Sequence, residues 1–167
     1  QVQKDTIPLA ITGKDVIGQA RTGSGKTAAF GIPTINSCKP TGELQALILA
    51  PTRELANQVS IDINQMQGDR GLEIVTVYGG TDLEKQARKL DSGVDVIVGT
   101  PGRIMDMTKR GHIDLGNPST FVLDEADRML DMGFFPDIMW IVEKMEQRSQ
   151  TLLFSATFPQ EIIDAAN

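Results

Sequence analysis

The sequence has 167 residues and a formal net charge of −6, with 40% hydrophobic and 23% charged residues, which is the composition of one soluble globular domain large enough to bury a core. The acidic balance argues against holding nucleic acid through a general electrostatic field, so any such binding must rest on a few local phosphate contacts. The longest apolar runs, such as Ala46 to Ala50, are far short of the roughly 20 residues that cross a bilayer, and the single cysteine, Cys38, excludes an internal disulfide and a cysteine zinc cluster.

Six short aliphatic or β-branched runs follow one another at strand length: Asp15–Ala20, Gln45–Ala50, Leu72–Tyr78, Val94–Thr100, Thr120–Glu125 and Thr151–Ala156. Between them lie stretches with helical spacing, such as Leu55, Val59, Ile63 and Met66, and later Ile138, Ile141, Val142 and Met145. Strand and helix therefore alternate. The expectation is an α/β domain of right-handed βαβ units, with a mostly parallel central sheet covered by helices on both faces. In such a sheet ligands bind at the carboxyl ends of the strands.

The first run ends in "ARTGSGKT", Ala20 to Thr27, followed by the apolar "AAFGI" that begins a helix. This is the phosphate-loop pattern, with alanine in place of the first glycine. Thr22, Gly23, Ser24 and Gly25 form the cradle, in which the glycines let backbone N–H groups approach a phosphate. Lys26 supplies a charge for the β and γ phosphates, and Thr27 a hydroxyl for Mg²⁺.

The fifth run ends in "FVLDEADRML", which crowds Asp124, Glu125 and Asp127 at the end of a core element. Unpaired charge is costly there. Acids at a helix start, favoured by the macrodipole, are one explanation. A phosphate-bound Mg²⁺ is the other: Asp124 then faces the metal, and Glu125 orients or deprotonates a water attacking the γ-phosphate.

"ARTGSGKT", "PTRELA" at Pro51 to Ala56, "GG" at Gly79 and Gly80, "TPGR" at Thr100 to Arg103, "DEAD" at Asp124 to Asp127 and "SAT" at Ser155 to Thr157 occur in the order found in DEAD-box ATP-dependent RNA helicases. The chain resembles the first, N-terminal RecA-like domain of such an enzyme, over residues 1–167. "QKDTIP" at Gln3 to Pro8 is similar to the end of the family's adenine-reading Q motif, and the family's second RecA-like domain is not in this sequence. The resemblance implies that ATP and Mg²⁺ are the cofactors, that Gln3 reads the adenine, and that Lys26, Asp124 and Glu125 are catalytic. It further implies that Pro51, Thr52, Arg53, Gly80, Thr100, Gly102 and Arg103 lie along the backbone of one RNA strand, and that Asp127, Ser155 and Thr157 couple hydrolysis to strand separation. None of these reads a base edge, so recognition is expected to be independent of sequence. Outside the motif, Arg53 reads as a surface arginine pairing with Glu54 or another acid. A nucleotide-regulated clamp and a DNA-directed relative are the competing readings of the whole.

Other residues carry less. His112 reads as a solvated turn, Trp140 as core, and "EKQARKLD", Glu84 to Asp91, as an exposed helix face of mixed charge. Met105, Met107, Met129, Met132, Met139 and Met145 read as packing. A soluble, cytoplasmic, monomeric domain is expected, with no membrane partner.

Overall fold

The computed structural model describes residue 13, residues 15–19 and residues 25–166. In chain order the elements are β1 (Val16–Gln19), α1 (Lys26–Ser37), β2 (Ala46–Leu49), α2 (Arg53–Gln67), β3 (Ile74–Val77), α3 (Leu83–Asp91) and β4 (Val96–Gly99). They continue with α4 (Pro101–Lys109), β5 (Thr120–Leu123), α5 (Ala126–Asp131), α6 (Phe135–Lys144), β6 (Gln150–Ser155) and α7 (Gln160–Ala166). The six strands are those read from the sequence, with ends moved by one or two residues, as is usual at element boundaries.

The strands form one sheet in the order β1-β6-β5-β2-β4-β3, and all five pairings are parallel. This order explains how the helices divide between its faces. From β1 to β2 and from β2 to β3 the chain steps one way across the sheet, whereas from β3 to β4, β4 to β5 and β5 to β6 it steps back. Because parallel crossovers are right-handed, a reversal of direction moves the helices to the other face. The core agrees. Phe30 of α1 and Val59 and Ile63 of α2 pack with Ile48, Val98, Val122 and Phe154 on one side. Leu90 of α3, Ile104 and Met107 of α4, Met129 of α5 and Ile138 and Ile141 of α6 pack with Leu47, Ile97, Phe121 and Leu123 on the other. Successive strand residues thus feed opposite cores, and a strand buried on both faces reads as an unbroken apolar run. The result is a three-layer α/β domain of RecA-like topology.

This packing corrects one sequence reading and refines another. Met107, Met129 and Met145 are buried, but Met132 and Met139 are 46% and 40% exposed, because they lie outside the stripes that α5 and α6 turn to the sheet. Trp140 is only half-buried, off the Ile138 and Ile141 stripe, with the Lys109 and Lys144 ammonium groups 5.4 and 5.3 Å from its ring centre. Its partly buried ring packs against the rim of the core, with the two cations flanking it. His112 does sit at the surface, with Nδ1 2.9 Å from Asp91 Oδ1.

Candidate nucleotide and nucleic-acid site

The sequence-predicted site residues that are described lie on loops, helix starts and, for Ser155, the last position of a strand, at the carboxyl edge of the sheet. Gln3, Thr22, Gly23 and Ser24 lie outside the described residues. The stretch read as a phosphate loop runs up to Gly25, whose φ of 79° and ψ of 12° place it in the left-handed region, a conformation glycine adopts without steric penalty. No side chain caps α1 there. Lys26 and Thr27 are the first two residues of that helix.

Lys26 is 5% exposed and Asp124 1% exposed. The Lys26 ammonium lies 3.0 Å from Asp124 Oδ1 and 3.0 Å from Glu125 Oε2. One cation thus stands against two buried carboxylates. Burial pushes the Asp124 carboxyl up to about 6, the nearby Lys26 only partly opposing it. Asp95 makes the contrast clear. It is equally buried, but at the opposite edge of the sheet its carboxylate accepts from the Thr41, Gly42 and Glu73 backbone N–H groups at 3.1, 2.8 and 2.8 Å. Asp95 is satisfied by the fold, whereas Asp124 depends on a side-chain cation.

Among the described residues no three His, Cys, Asp or Glu side chains assemble into a metal cage. The chemistry of the two carboxylates, with a hydroxyl at the start of α1, is that of residues which could hold a Mg²⁺ together with phosphate oxygens and waters, Asp124 and Thr27 being the candidates.

Glu125 is the one non-glycine with positive φ among the described residues, at φ 56° and ψ 53°. Such a backbone costs about 1–3 kcal/mol and persists where the surroundings enforce it. Here it ends β5 abruptly and starts α5, so that two adjacent carboxylates reach the same ammonium. The Arg128 guanidinium approaches Glu125 Oε1 from the solvent side at 3.9 Å.

A second network ties α5 to the end of β6. Ser155 Oγ accepts from the Asp127 N–H at 3.1 Å and donates to the Thr157 carbonyl at 2.6 Å, while the Thr157 hydroxyl donates to Asp127 Oδ2 at 3.3 Å. Gln19 at the end of β1 donates to the Ala156 carbonyl at 3.1 Å. These bonds join the start of α5 and the ends of β1 and β6.

Farther along the same edge stand the residues read as RNA contacts. Pro51 is buried, and the Thr52 hydroxyl caps α2 by accepting from the Leu55 N–H at 3.2 Å. Arg53 is exposed and stacks its guanidinium 5.0 Å from the Tyr78 ring centre, rather than being spent on Glu54. Gly80 is exposed beside it, since a Cβ there would come within 3.9 Å of Arg53 Nη1. Thr100 is the N-cap of α4, with Pro101 in the first turn. Gly99 makes that corner possible, as a Cβ on it would lie 2.5 Å from the Val77 carbonyl oxygen. Gly102 is exposed, and half-buried Arg103 donates to Gln86 Oε1 at 3.3 Å.

Tyr78 and Gln86 were not legible as site residues. Gln86 sits inside the stretch read as an exposed charged face, which is corrected here: Gln86, Ala87 and Leu90 are the buried stripe of α3. Their spacing at three to four residues was the available signal.

The helicase family model described as DEAD/DEAH box helicase matches residues 1–165. The chain belongs to this family. This DEAD-box domain is 50% identical over 162 residues to the DEAD-box ATP-dependent RNA helicase CshA of Streptococcus pneumoniae, covering 96% of this chain and 31% of that protein. It is 47% identical over 167 residues to the RNA helicase CrhR of Synechocystis, covering all of this chain and 34% of that protein. The chain therefore spans about a third of the length of these curated relatives. Among solved structures, a DEAD box protein from the hyperthermophile Methanococcus jannaschii superposes with a TM-score of 0.94 at 44% identity, over 99% of this chain and 46% of that one. A hypothetical ATP-dependent RNA helicase from Sulfolobus tokodaii gives 0.90 at 41% identity, over 98% and 48%. No helix among the described residues is long and apolar enough to cross a membrane.

Proposed function

We propose that residues 1–167 are the first RecA-like domain of a cytoplasmic ATP-dependent RNA helicase, monomeric when isolated, that hydrolyses ATP and locally separates short RNA duplexes with little sequence preference. The observation that carries this reading is the buried set of Lys26, Asp124 and Glu125 at the sheet edge that also presents Arg53 and Arg103.

In this reading Gln3 reads the adenine, Thr22, Gly23, Ser24 and Gly25 cradle the phosphates, and Lys26 holds the β and γ groups. Phosphate oxygens compete with the two carboxylates for the Lys26 ammonium. Asp124 and Thr27 would hold Mg²⁺, which when bound neutralises charge on the phosphates. Glu125 takes a proton from the water that attacks the γ-phosphorus, and the bond to the bridging oxygen breaks to release ADP. The single-stranded RNA backbone runs over Pro51, Thr52, Arg53, Gly80, Thr100, Gly102 and Arg103, a second RecA-like domain completing both sites. A net charge of −6 leaves these local donors as the source of affinity, and donors of this kind meet phosphates rather than base edges. Asp127, Ser155 and Thr157, bonded to one another, pass changes at Glu125 to the RNA side.

Calorimetric titration with ATP and Mg²⁺ tests the reading. Binding is expected for the wild type and lost in Lys26→Ala; equal affinity in the two would refute the nucleotide assignment.

A further inference from the structure

Gln86 is 7% exposed on a helix whose neighbours Glu84, Lys85, Arg88 and Lys89 all face solvent. Its amide makes three hydrogen bonds, one to Arg103 of α4 and two to the loop that follows β3. Oε1 accepts from Arg103 at 3.3 Å, and Nε2 donates to the Tyr78 carbonyl at 3.1 Å and to the Thr81 hydroxyl. Arginine has no acceptor, so the amide orientation is fixed chemically: oxygen to Arg103, nitrogen to the carbonyl. Tyr78, whose carbonyl is held, is also the residue whose ring lies under the Arg53 guanidinium.

We propose that Gln86 is a positioning residue for RNA, its one buried amide aiming Arg103 directly and Arg53 through Tyr78 so that the two guanidiniums keep a fixed register along the phosphate track. This rests on the reading of Arg53 and Arg103 as RNA contacts. A neutral amide suits the task for a specific reason. It orients the guanidinium through one N–H and leaves the other donors, and the full positive charge, for phosphate. A carboxylate at position 86 would hold Arg103 more strongly but neutralise it. An apolar side chain would fill the space and hold nothing.

The test uses the full-length protein with a fluorescent oligo-uridine strand, Mg²⁺ and a non-hydrolysable ATP analogue, following anisotropy over a series of salt concentrations. Arg103→Ala is expected to weaken binding and to lower the slope of log affinity against log salt by about 0.7, one single-strand phosphate contact. Gln86→Glu should lose the same slope although every arginine is still present. Gln86→Leu should weaken RNA binding about three- to tenfold, the effect of one lost orienting hydrogen bond, with the slope retained. Nucleotide affinity should stay within about twofold of wild type in each variant, and the losses of Gln86→Leu and Arg103→Ala should overlap in the double variant. Wild-type RNA affinity and slope in both Gln86 variants, alongside a weakened Arg103→Ala, would overturn the role of Gln86 and leave the RNA reading standing. Unchanged binding in Arg103→Ala would overturn both. If Gln86→Leu also loses nucleotide binding, the slope of Gln86→Glu, which keeps the shape of the side chain, decides.

Discussion

Lys26 and Asp124, nearly a hundred positions apart in the chain, meet in a buried ion pair of 3.0 Å, and Glu125 shares the same cation. Removing one partner of a buried pair typically costs about 3–5 kcal/mol, because the other charge stays behind without compensation. Lys26→Ala is therefore expected to destabilise the domain by that order as well as to abolish binding of ATP with Mg²⁺. Lys26→Ala combined with Asp124→Asn should recover part of the stability and none of the binding. Urea unfolding, beside calorimetry, separates the two effects; a fully stable Lys26→Ala protein would mean that the pair is not the anchor described.

Glu125→Gln keeps the size of the side chain and removes the base. With the left-handed corner at residue 125 unchanged, ATP affinity should remain close to wild type. Turnover by the full-length enzyme should fall about 10²- to 10⁴-fold, the usual contribution of a positioned base. Steady-state phosphate release at saturating RNA measures it, and a loss smaller than tenfold would move the base to another group.

Much of this was written in the sequence, for identifiable reasons. The four inner strands β6, β5, β2 and β4 were legible because each is buried on both faces and so appears as an unbroken aliphatic run, and the edge strands β1 and β3 were legible from their short aliphatic or β-branched runs. Lys26 was legible from the glycine-rich stretch between the first run and a helix, and Asp124 because it ends the fifth run in a charge a core would otherwise reject. The support beneath the arginines was not. Tyr78 reads as the end of a strand and Gln86 as one polar letter among charges, and only the fold brings a ring under Arg53 and an amide to Arg103. Trp140 packs against the core as its helical spacing indicates, but spacing cannot separate the centre of a buried stripe from its flank, where lysines can cover the ring.

Ser155 has two partners through one hydroxyl, accepting from the Asp127 N–H and donating to the Thr157 carbonyl. Ser155→Ala leaves that buried end of the network unpaired, at a cost of about 1–3 kcal/mol. If the network couples the two sites, RNA-stimulated ATPase should survive at a substantial fraction of wild type while unwinding of a short duplex falls much further. Proportional loss of both would remove the coupling role from Ser155 and Thr157.

Cys38 closes α1 as a buried free thiol, and burial pushes it up to about 11. Its thiolate, the reactive form, is then about one part in a thousand at pH 8, against roughly a quarter for an unperturbed cysteine. The folded protein at pH 8 should react with iodoacetamide at least about a hundredfold more slowly than the same protein in denaturant. Labelling rates followed by mass spectrometry check this; comparable rates would show that the C-terminal end of α1 opens readily.

Residues 1–167 alone should hydrolyse ATP very slowly even though Lys26, Thr27, Asp124 and Glu125 are all present. Charge developing at the γ-phosphate needs stabilisation beyond the metal, and a missing arginine finger costs about 10³- to 10⁵-fold in rate. Arg53 is held on Tyr78 and Arg103 on Gln86, both at the part of the edge proposed to meet RNA. Arg128 comes within 3.9 Å of Glu125 Oε1 while Lys26 takes Oε2, and its half-exposed side chain is thus engaged with the proposed base itself. The measurement is steady-state ATPase of the domain with and without single-stranded RNA, repeated after adding the second domain in trans and in cis. Slow turnover that rises only with the second domain is expected. Turnover of several per second by the domain alone, stimulated by RNA and lost in Arg128→Ala, would instead make Arg128 a finger supplied in cis and overturn the two-domain mechanism.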